Sequence, residues 1–388
     1  MLVDDLAKVE REKQAREVYR DAIRGCLIGG AAGDALGYAV EFIREPDIFA
    51  RYGPDGITAY ERDRETGKAL ISDDTQMTLF TATGLLVGDT RRRLRGIGAM
   101  PRCYVEMAYQ DWLHTQNNAR GEVAARQKAN SWLSQVPELY AWRAPGGTCL
   151  SALEQKGASV EDYIEAPCNH SKGCGGVMRV APVALQQWHD IEAMDWEAAQ
   201  IAAITHGHSL GYMPAAVLCH VISRIVFDGE RDLHKLIPEA RDTAKRLFAG
   251  DKHLQELTDL IDRAVALAGN GLDDLENIRA LGEGWVAEET LAVALYCSLR
   301  YADDFSAGII AAVNHSGDSD STGAVTGNIL GALAGYDRLE EKWKTDLECA
   351  DVILEIADDL CYGCRMSEYG AYRDEDWVQK YIFMNRVK

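Results

Sequence analysis

Apolar residues recur three and four apart over residues 75–87, 119–135, 192–204, 209–227, 251–268, 286–300 and 343–361. That is the spacing of an amphipathic helix. Alternating Val, Ile and Thr, the mark of a half-buried strand, is nearly absent, so the pattern predicts little or no sheet. Residues 5–23 are polar and rich in Glu, Lys, Arg and Ala, the composition of an exposed helix. Turn punctuation falls at 44–56 (Pro46, Gly53, Pro54), 143–148 (Pro145, Gly146, Gly147) and 167–176.

Two segments break ordinary helix rules. Glycines stand at 25, 29, 33 and 37 in RGCLIGGAAGDALG, and at 323, 327, 331 and 335 in STGAVTGNILGALAG. Each mid-helix glycine costs about 1 kcal/mol against alanine. A stripe at a spacing of four lets another helix approach closely along the i±4 ridges. We therefore expect two buried central helices packed near each other. Apart from the likeness of the two stripes, nothing recurs at a fixed period.

The chain has 388 residues, 47% of them hydrophobic, and only nine prolines, with no Ser/Pro or Gly/Ser linker. One domain is the expectation. A formal net charge of −20 repels nucleic acid and anionic membranes on average. No apolar run is expected to span a bilayer, and the charged N-terminus does not read as a signal peptide. The ten cysteines include one CxxC, Cys361 and Cys364, with no second pair to complete a zinc ribbon. They read as ordinary buried thiols in a reducing cytoplasm.

Acids collect at two places. Ser72, Asp73, Asp74 and Thr75 precede one apolar helical run; Asp318, Ser319, Asp320 and Ser321 precede another. Helix capping is the bland reading, but a cap needs one such side chain. Two unit charges about 5 Å apart repel by roughly 0.8 kcal/mol even at the dielectric of water. Buried acid pairs shift their pKa or bind cations. With Asp34 inside a glycine helix, the two clusters point to an oxygen-only, two-metal site suited to Mg²⁺, Mn²⁺ or Ca²⁺ rather than zinc.

His206 and His208, in ITHGHSLGY, sit two apart; one is expected near a ligand and one to be structural. HSKGCGGVMRVAP (His170–Pro182) reads as a Gly-rich loop before a helix, able to cradle a phosphate, with Lys172 or Arg179 supplying charge. A plain turn is the alternative. No Walker loop, Rossmann turn or GxSxG is present.

Taken in order, GxxxGDALGxxxEF (Gly29–Phe42), SDDTQM (Ser72–Met77), GGVMRxAP (Gly175–Pro182), THGH (Thr205–His208) and NHSGDSDS (Asn314–Ser321) resemble the ADP-ribosylglycohydrolase family. The resemblance spans about residues 22–336. It implies an all-α, single-domain orthogonal helical bundle holding two Mg²⁺ or Mn²⁺. Carried over by position, the ligands are Ser72, Asp73, Asp74, Asp318, Asp320 and Ser321. Serine stands at 72 and 321 where the family more often has threonine, and Gly173-Cys174-Gly175 where it usually has Gly-Asn-Gly. Glu41 matches an acid on a loop that covers the metal pair in some relatives. The implied layout is an N-terminal helical extension (1–20), an ADP-ribosylhydrolase domain (21–366) and a C-terminal tail (367–388).

The chemistry so implied is hydrolysis of the ribose C1″ bond of an ADP-ribosylated protein, with oxocarbenium character. Asp73, Asp318, Asp320 or Glu41 would orient or deprotonate the water. Gly173, Gly175, Gly176 and Arg179 would hold the diphosphate, with His206 near the ligand and Tyr212 a candidate for stacking the adenine. Arginine is the favoured acceptor; serine and O-acetyl linkages stay open. The charged helix Asp4–Asp21 suggests a second reading: an immunity protein that neutralises an ADP-ribosyltransferase toxin through this arm as well as by hydrolysis. A catalytically dead crystallin-like relative is disfavoured, because all six ligand positions keep oxygen side chains.

Overall fold

The computed structural model describes residues 2–96, 98–119, 128–155 and 162–387, with side chains from residue 6 onward. The first half holds α1 (Leu2–Tyr38), α2 (Glu45–Tyr52), α3 (Asp73–Arg95), α4 (Pro101–Asn118), α5 (Gly147–Glu154), α6 (Ala181–Ala184) and α7 (Ile191–Ala203). Next come α8 (Ser209–Asp228), α9 (Leu233–Leu247), α10 (Leu254–Ala268), α11 (Asp274–Leu281) and α12 (Ala287–Arg300). The last are α13 (Phe305–Val313), α14 (Ser319–Ala334), α15 (Glu341–Lys344), α16 (Ala350–Tyr362) and α17 (Glu375–Tyr381). Among the described residues there is no strand, only the isolated bridges Ala69–Leu347 and Gly173–Val286. The fold is the all-α class the sequence implies.

The glycine stripes face each other, antiparallel, on α1 and α14. A methyl group on Gly25 would stand 2.2 Å from the Gly331 carbonyl oxygen, on Gly29 2.4 Å from that of Gly327, and on Gly33 2.0 Å from that of Gly323. On Gly37 it would stand 2.2 Å from the Ser319 carbonyl oxygen. No side chain fits in the seam, and the two backbones touch along four turns. Gly335 lies outside it: it ends α14 with φ +79° beside the Asp21 carboxylate. Because the helices run antiparallel, the end of α1 arrives at the start of α14. The chain leaving α1 then carries Glu41 past Asp318 and Asp320.

α1 also fixes α3. The fully buried Asp34 carboxylate accepts the Ser72 N–H (3.0 Å to Oδ1), the Thr75 N–H (3.1 Å to Oδ2) and the Thr75 hydroxyl. One helix thus sets the start of both acid-bearing helices.

Several expected boundaries move. The polar helix at 5–23 and the first glycine helix are one continuous α1, which passes through residue 20 without a break. Arg20 and Arg24 both grip the Asp358 carboxylate on α16 (Nε to Oδ1 3.0 and 2.6 Å), and Arg16 donates to the Tyr362 carbonyl (3.3 Å). The helix expected at 343–361 is two, α15 and α16. Asp346 and Cys349 adopt φ of 60° and 57° there, and Ala69 pairs with the chain between them. Of the helix expected at 119–135, residues 120–127 lie outside the described residues, and Trp132–Gln135 is a single 3₁₀ turn. Finally, α8 does have the length and apolar content of a membrane span, against the expectation. It is a core helix, buried against α7, α9, α12 and α14.

Candidate active site

The Ser72–Asp74 start of α3 and the Asp318–Ser321 start of α14 converge. One carboxylate oxygen from each of Asp73, Asp74 and Asp320 lie within 4.8 Å of one another, as do those of Glu41, Asp318 and Asp320. Asp320 belongs to both groups. Glu41 is 7% exposed and the other four acids less. Such crowding is unfavourable unless protons or cations offset it. Burial first, and the Asp320 charge next, push Glu41 up to about 10 and Asp34 to about 7. Burial first also holds Asp73, Asp74 and Asp318 well above the usual carboxylate range. Two helix N-termini aim their positive ends at the cluster and moderate the repulsion.

Hydrogen bonds hold two of the acids, while three others keep a buried oxygen without a partner among the described residues. Asp73 Oδ2 accepts the Gly146 N–H (3.0 Å), and Asp320 Oδ1 accepts the Ser321 N–H (2.9 Å). Asp74 Oδ2, Asp318 Oδ2 and Glu41 Oε2 are buried with no hydrogen-bond partner among the described residues. Orphaned, converging carboxylate oxygens fit hard divalent cations. Of the six ligands named from sequence, Asp73, Asp74, Asp318, Asp320 and Ser321 line one cavity of about 320 Å³. Ser72 does not; its Oγ caps α3 by accepting the Asp74 N–H (3.2 Å).

The substrate-binding expectations divide. Gly173, Gly175 and His206 line the cavity. His206 is buried, and burial first, then the nearby Arg179 charge, lower it to about 3, so its ring is neutral. His208 is the structural partner, its Nδ1 accepting the Leu210 N–H at the start of α8 (3.1 Å). Gly176 sits behind the cavity, where a methyl group would stand 2.7 Å from the Gly211 carbonyl oxygen.

Neither expected cation faces the ligand space. Lys172 pairs with Glu288. Arg179 is fully buried behind the loop, bonding Thr205 Oγ1 (2.6 Å) and Cys149 Sγ (3.3 Å) with its guanidinium over the Tyr109 ring. Thr205 Oγ1 in turn lies 2.8 Å from His206 Nδ1, so Arg179 positions His206. The helix expected after the Gly-rich loop is a 3₁₀ turn, Cys174–Gly176, and the four-residue α6. Tyr212 does not line the cavity; its ring lies 6.0 Å from that of Phe248.

Sequence reasoning missed three contributors. The loop Ala144–Cys149 forms one wall, held by the Gly146 contact to Asp73. Phe42 and Trp285 stand at the mouth, rings 6.2 Å apart and 22° from parallel. The segment after α11 clamps both halves of the site. Its Glu283 carbonyl accepts the Asp318 N–H (2.8 Å), its Trp285 carbonyl accepts the Cys174 N–H (3.3 Å), and its Ala287 N–H donates to Lys172 (2.9 Å). The only local signal was Gly-Glu-Gly at 282–284, with φ +134° and +82° at its glycines.

The sequence matches the family model described as ADP-ribosylglycohydrolase over residues 15–369. It is 35% identical to the ADP-ribosylarginine hydrolase Tri1 of Serratia proteamaculans, over 88% of this chain and 79% of that protein. It is 24% identical to the ADP-ribosyl-dinitrogen reductase glycohydrolase of Rhodospirillum rubrum, over 84% of this chain and 90% of that one. A solved structure titled ADP-ribosylglycohydrolase-related protein complex superposes with a TM-score of 0.61 at 21% identity, covering 90% of this chain and all of that one.

Proposed function

Because the chain belongs to the ADP-ribosylglycohydrolase family, we propose that it hydrolyses the bond between ribose C1″ of ADP-ribose and the guanidinium of a modified arginine in a protein, at a pair of Mg²⁺ or Mn²⁺ ions. The observation that carries this reading is the pair of three-carboxylate groups sharing Asp320, with buried oxygens on Asp74, Asp318 and Glu41 that nothing among the described residues satisfies. Asp73, Asp74, Asp318, Asp320 and Ser321 would hold the ions, with Glu41 closing the group from the α1 side. Bound divalent cations supply Lewis acidity and a water of lowered pKa.

The remaining steps fall to the chain's own residues. Asp73, Asp318, Asp320 or Glu41 orients the attacking water and takes its proton; Glu41, whose Oε2 has no partner among the described residues, lines both this cavity and the groove beside it. The water oxygen bonds to C1″, the C1″–N bond breaks with oxocarbenium character, and the proton passes to the departing guanidine. Neutral His206 and the backbone of Gly173 and Gly175 line the wall where the ADP-ribose would lie. Arginine is favoured because relatives at 35% and 22% identity bear the name ADP-ribosylarginine hydrolase.

Metal content measured together with turnover on ADP-ribosylarginine tests the proposal. Wild-type protein with bound Mg²⁺ or Mn²⁺ should turn over, and Asp318→Ala should lose activity by about 10²-fold or more while its circular dichroism is unchanged. Full activity in that variant with metal stripped would rule the mechanism out. Serine- and O-acetyl-linked substrates run in parallel decide the linkage.

A second reading, neutralisation of an ADP-ribosyltransferase toxin, is carried by the exposed early turns of α1, where Leu6, Lys8, Glu10 and Arg11 face solvent.

A further inference from the structure

A second cavity, of about 630 Å³, opens on the outer side of the site. Three residues line both cavities: Glu41, Phe42 and Trp285. The inner cavity holds the acids. The outer one is a groove whose walls are the chain after α1 and the chain after α11. Glu41 stands at the junction, and the stacked Phe42–Trp285 pair forms the shared rim.

The groove is built rather than incidental. Arg279 of α11 grips the Glu45 carboxylate at the start of α2, tying one wall to the other. The Glu45 N–H donates to Ser316 Oγ (2.8 Å), just before the acids of α14. The Glu289 carboxylate accepts the N–H groups of Glu283 and Gly284 (2.9 and 3.2 Å), which fixes the turn that presents Trp285. Yet Phe42 is 74% and Trp285 40% exposed. Two large rings held in water by a braced loop and a helix end are available to a ligand. Glu283, exposed on the same wall, has no salt-bridge partner among the described residues.

A hydrolysed glycoside has two sides. The ribose must sit over the carboxylates, in the inner cavity, so C1″ comes to Glu41 at the junction. The group leaving C1″ then lies outward, against the aromatic rim. An ADP-ribosylated arginine is cationic there, and a guanidinium stacks on aromatic faces and pairs with carboxylates. We infer that the outer groove, with the Phe42–Trp285 rim and Glu283, is the acceptor subsite, receiving the modified arginine and its flanking peptide. The inference rests on the arginine-hydrolase reading.

The test uses the 388-residue chain loaded with Mn²⁺, an ADP-ribosylarginine peptide and ADP-ribose as product inhibitor. Trp285→Ala should raise KM by about tenfold, with kcat within about threefold and inhibition by ADP-ribose unchanged. Trp285→Phe should restore most of the loss. Glu283→Gln should raise KM by about threefold at low salt and less at high salt. An unchanged KM in Trp285→Ala overturns the assignment. So does an equal weakening of ADP-ribose inhibition, which would place the rim on the nucleotide side. A second measurement needs no turnover: NMR titration with the unmodified arginine peptide, whose binding should vanish in Trp285→Ala; equal binding overturns the subsite. A wild-type chain inert on the peptide that still binds it through Trp285 would count against the hydrolase reading alone.

Discussion

Asp320 is shared by both three-carboxylate groups, so most of the site's repulsion passes through it. The sign of the effect follows from the raised acids. Asp73, Asp74, Asp318 and Glu41 hold protons more tightly folded than unfolded. Their contribution to stability is therefore greatest at low pH. It falls as pH rises from the ordinary carboxylate range toward the folded values, about 7 for Asp34 and about 10 for Glu41. Chelator-treated Asp320→Asn protein should melt about 1–4 °C above chelated wild type at pH 8, with a smaller difference at pH 5, while its hydrolysis is lost. Calorimetry at the two pH values measures it; a variant that melts lower at pH 8 would mean that Asp320 stabilises the metal-free fold.

The same scale shows what local chemistry makes legible. Paired acids at helix starts stand out because one acid suffices for a cap. The convergence of Asp73–Asp74 with Asp318–Asp320 follows from that excess and the family likeness. Arg179 and Tyr212 were misplaced because a motif names a residue type but not the direction its side chain takes. Trp285 was invisible: its position depends on carbonyl contacts to Asp318 and Cys174, far away in sequence.

At the scale of the element, the seam between α1 and α14 decides where Glu41 lands. Gly327→Ala places a methyl group 2.0 Å from the Gly29 carbonyl oxygen and 2.6 Å from its carbon, backbone that cannot swing aside. The helices must separate, at a cost of about 3 kcal/mol or more. Gly269→Ala is the control: the nearest atom lies 3.9 Å away and no positive φ is involved, so its change should stay within about 0.5 kcal/mol. Urea denaturation compares the two; equal midpoints would show that the seam tolerates a side chain. The stripes were readable because a glycine penalty repeated at one spacing needs a partner surface. α4 was not, because Arg102, Glu106, Asp111, Thr115 and Gln116 are buried polar residues that erase the apolar period. α9 carries Pro238 inside it, which a pattern reading takes as a stop. The missing period in both cases belongs to tertiary partners, such as Glu197 for Arg102.

For the whole molecule, the first turns of α1 are the part that hydrolysis does not use, in a protein carrying a net charge of −20. The structure separates two parts of that helix that composition alone joins. Arg16, Arg20 and Arg24 anchor it to α16. Removing residues 1–20 would therefore strip two of those anchors and leave the half-buried Asp358 with Arg24 alone, mixing a stability loss of about 1–2 kcal/mol into any binding result. Removing residues 1–15 leaves all three arginines in place. That shorter truncation should keep hydrolysis within about twofold and lower the melting point by no more than about 4 °C, since it removes mostly exposed residues, one buried side chain, Val9, and the Lys13 contact over the Tyr362 ring. If α1 also engages a toxin, the same truncation abolishes stoichiometric inhibition while turnover persists. If inhibition persists as well, neutralisation comes from hydrolysis or from another surface. A truncation that lost hydrolysis instead would show that the early turns brace the seam, and through it the placement of Glu41.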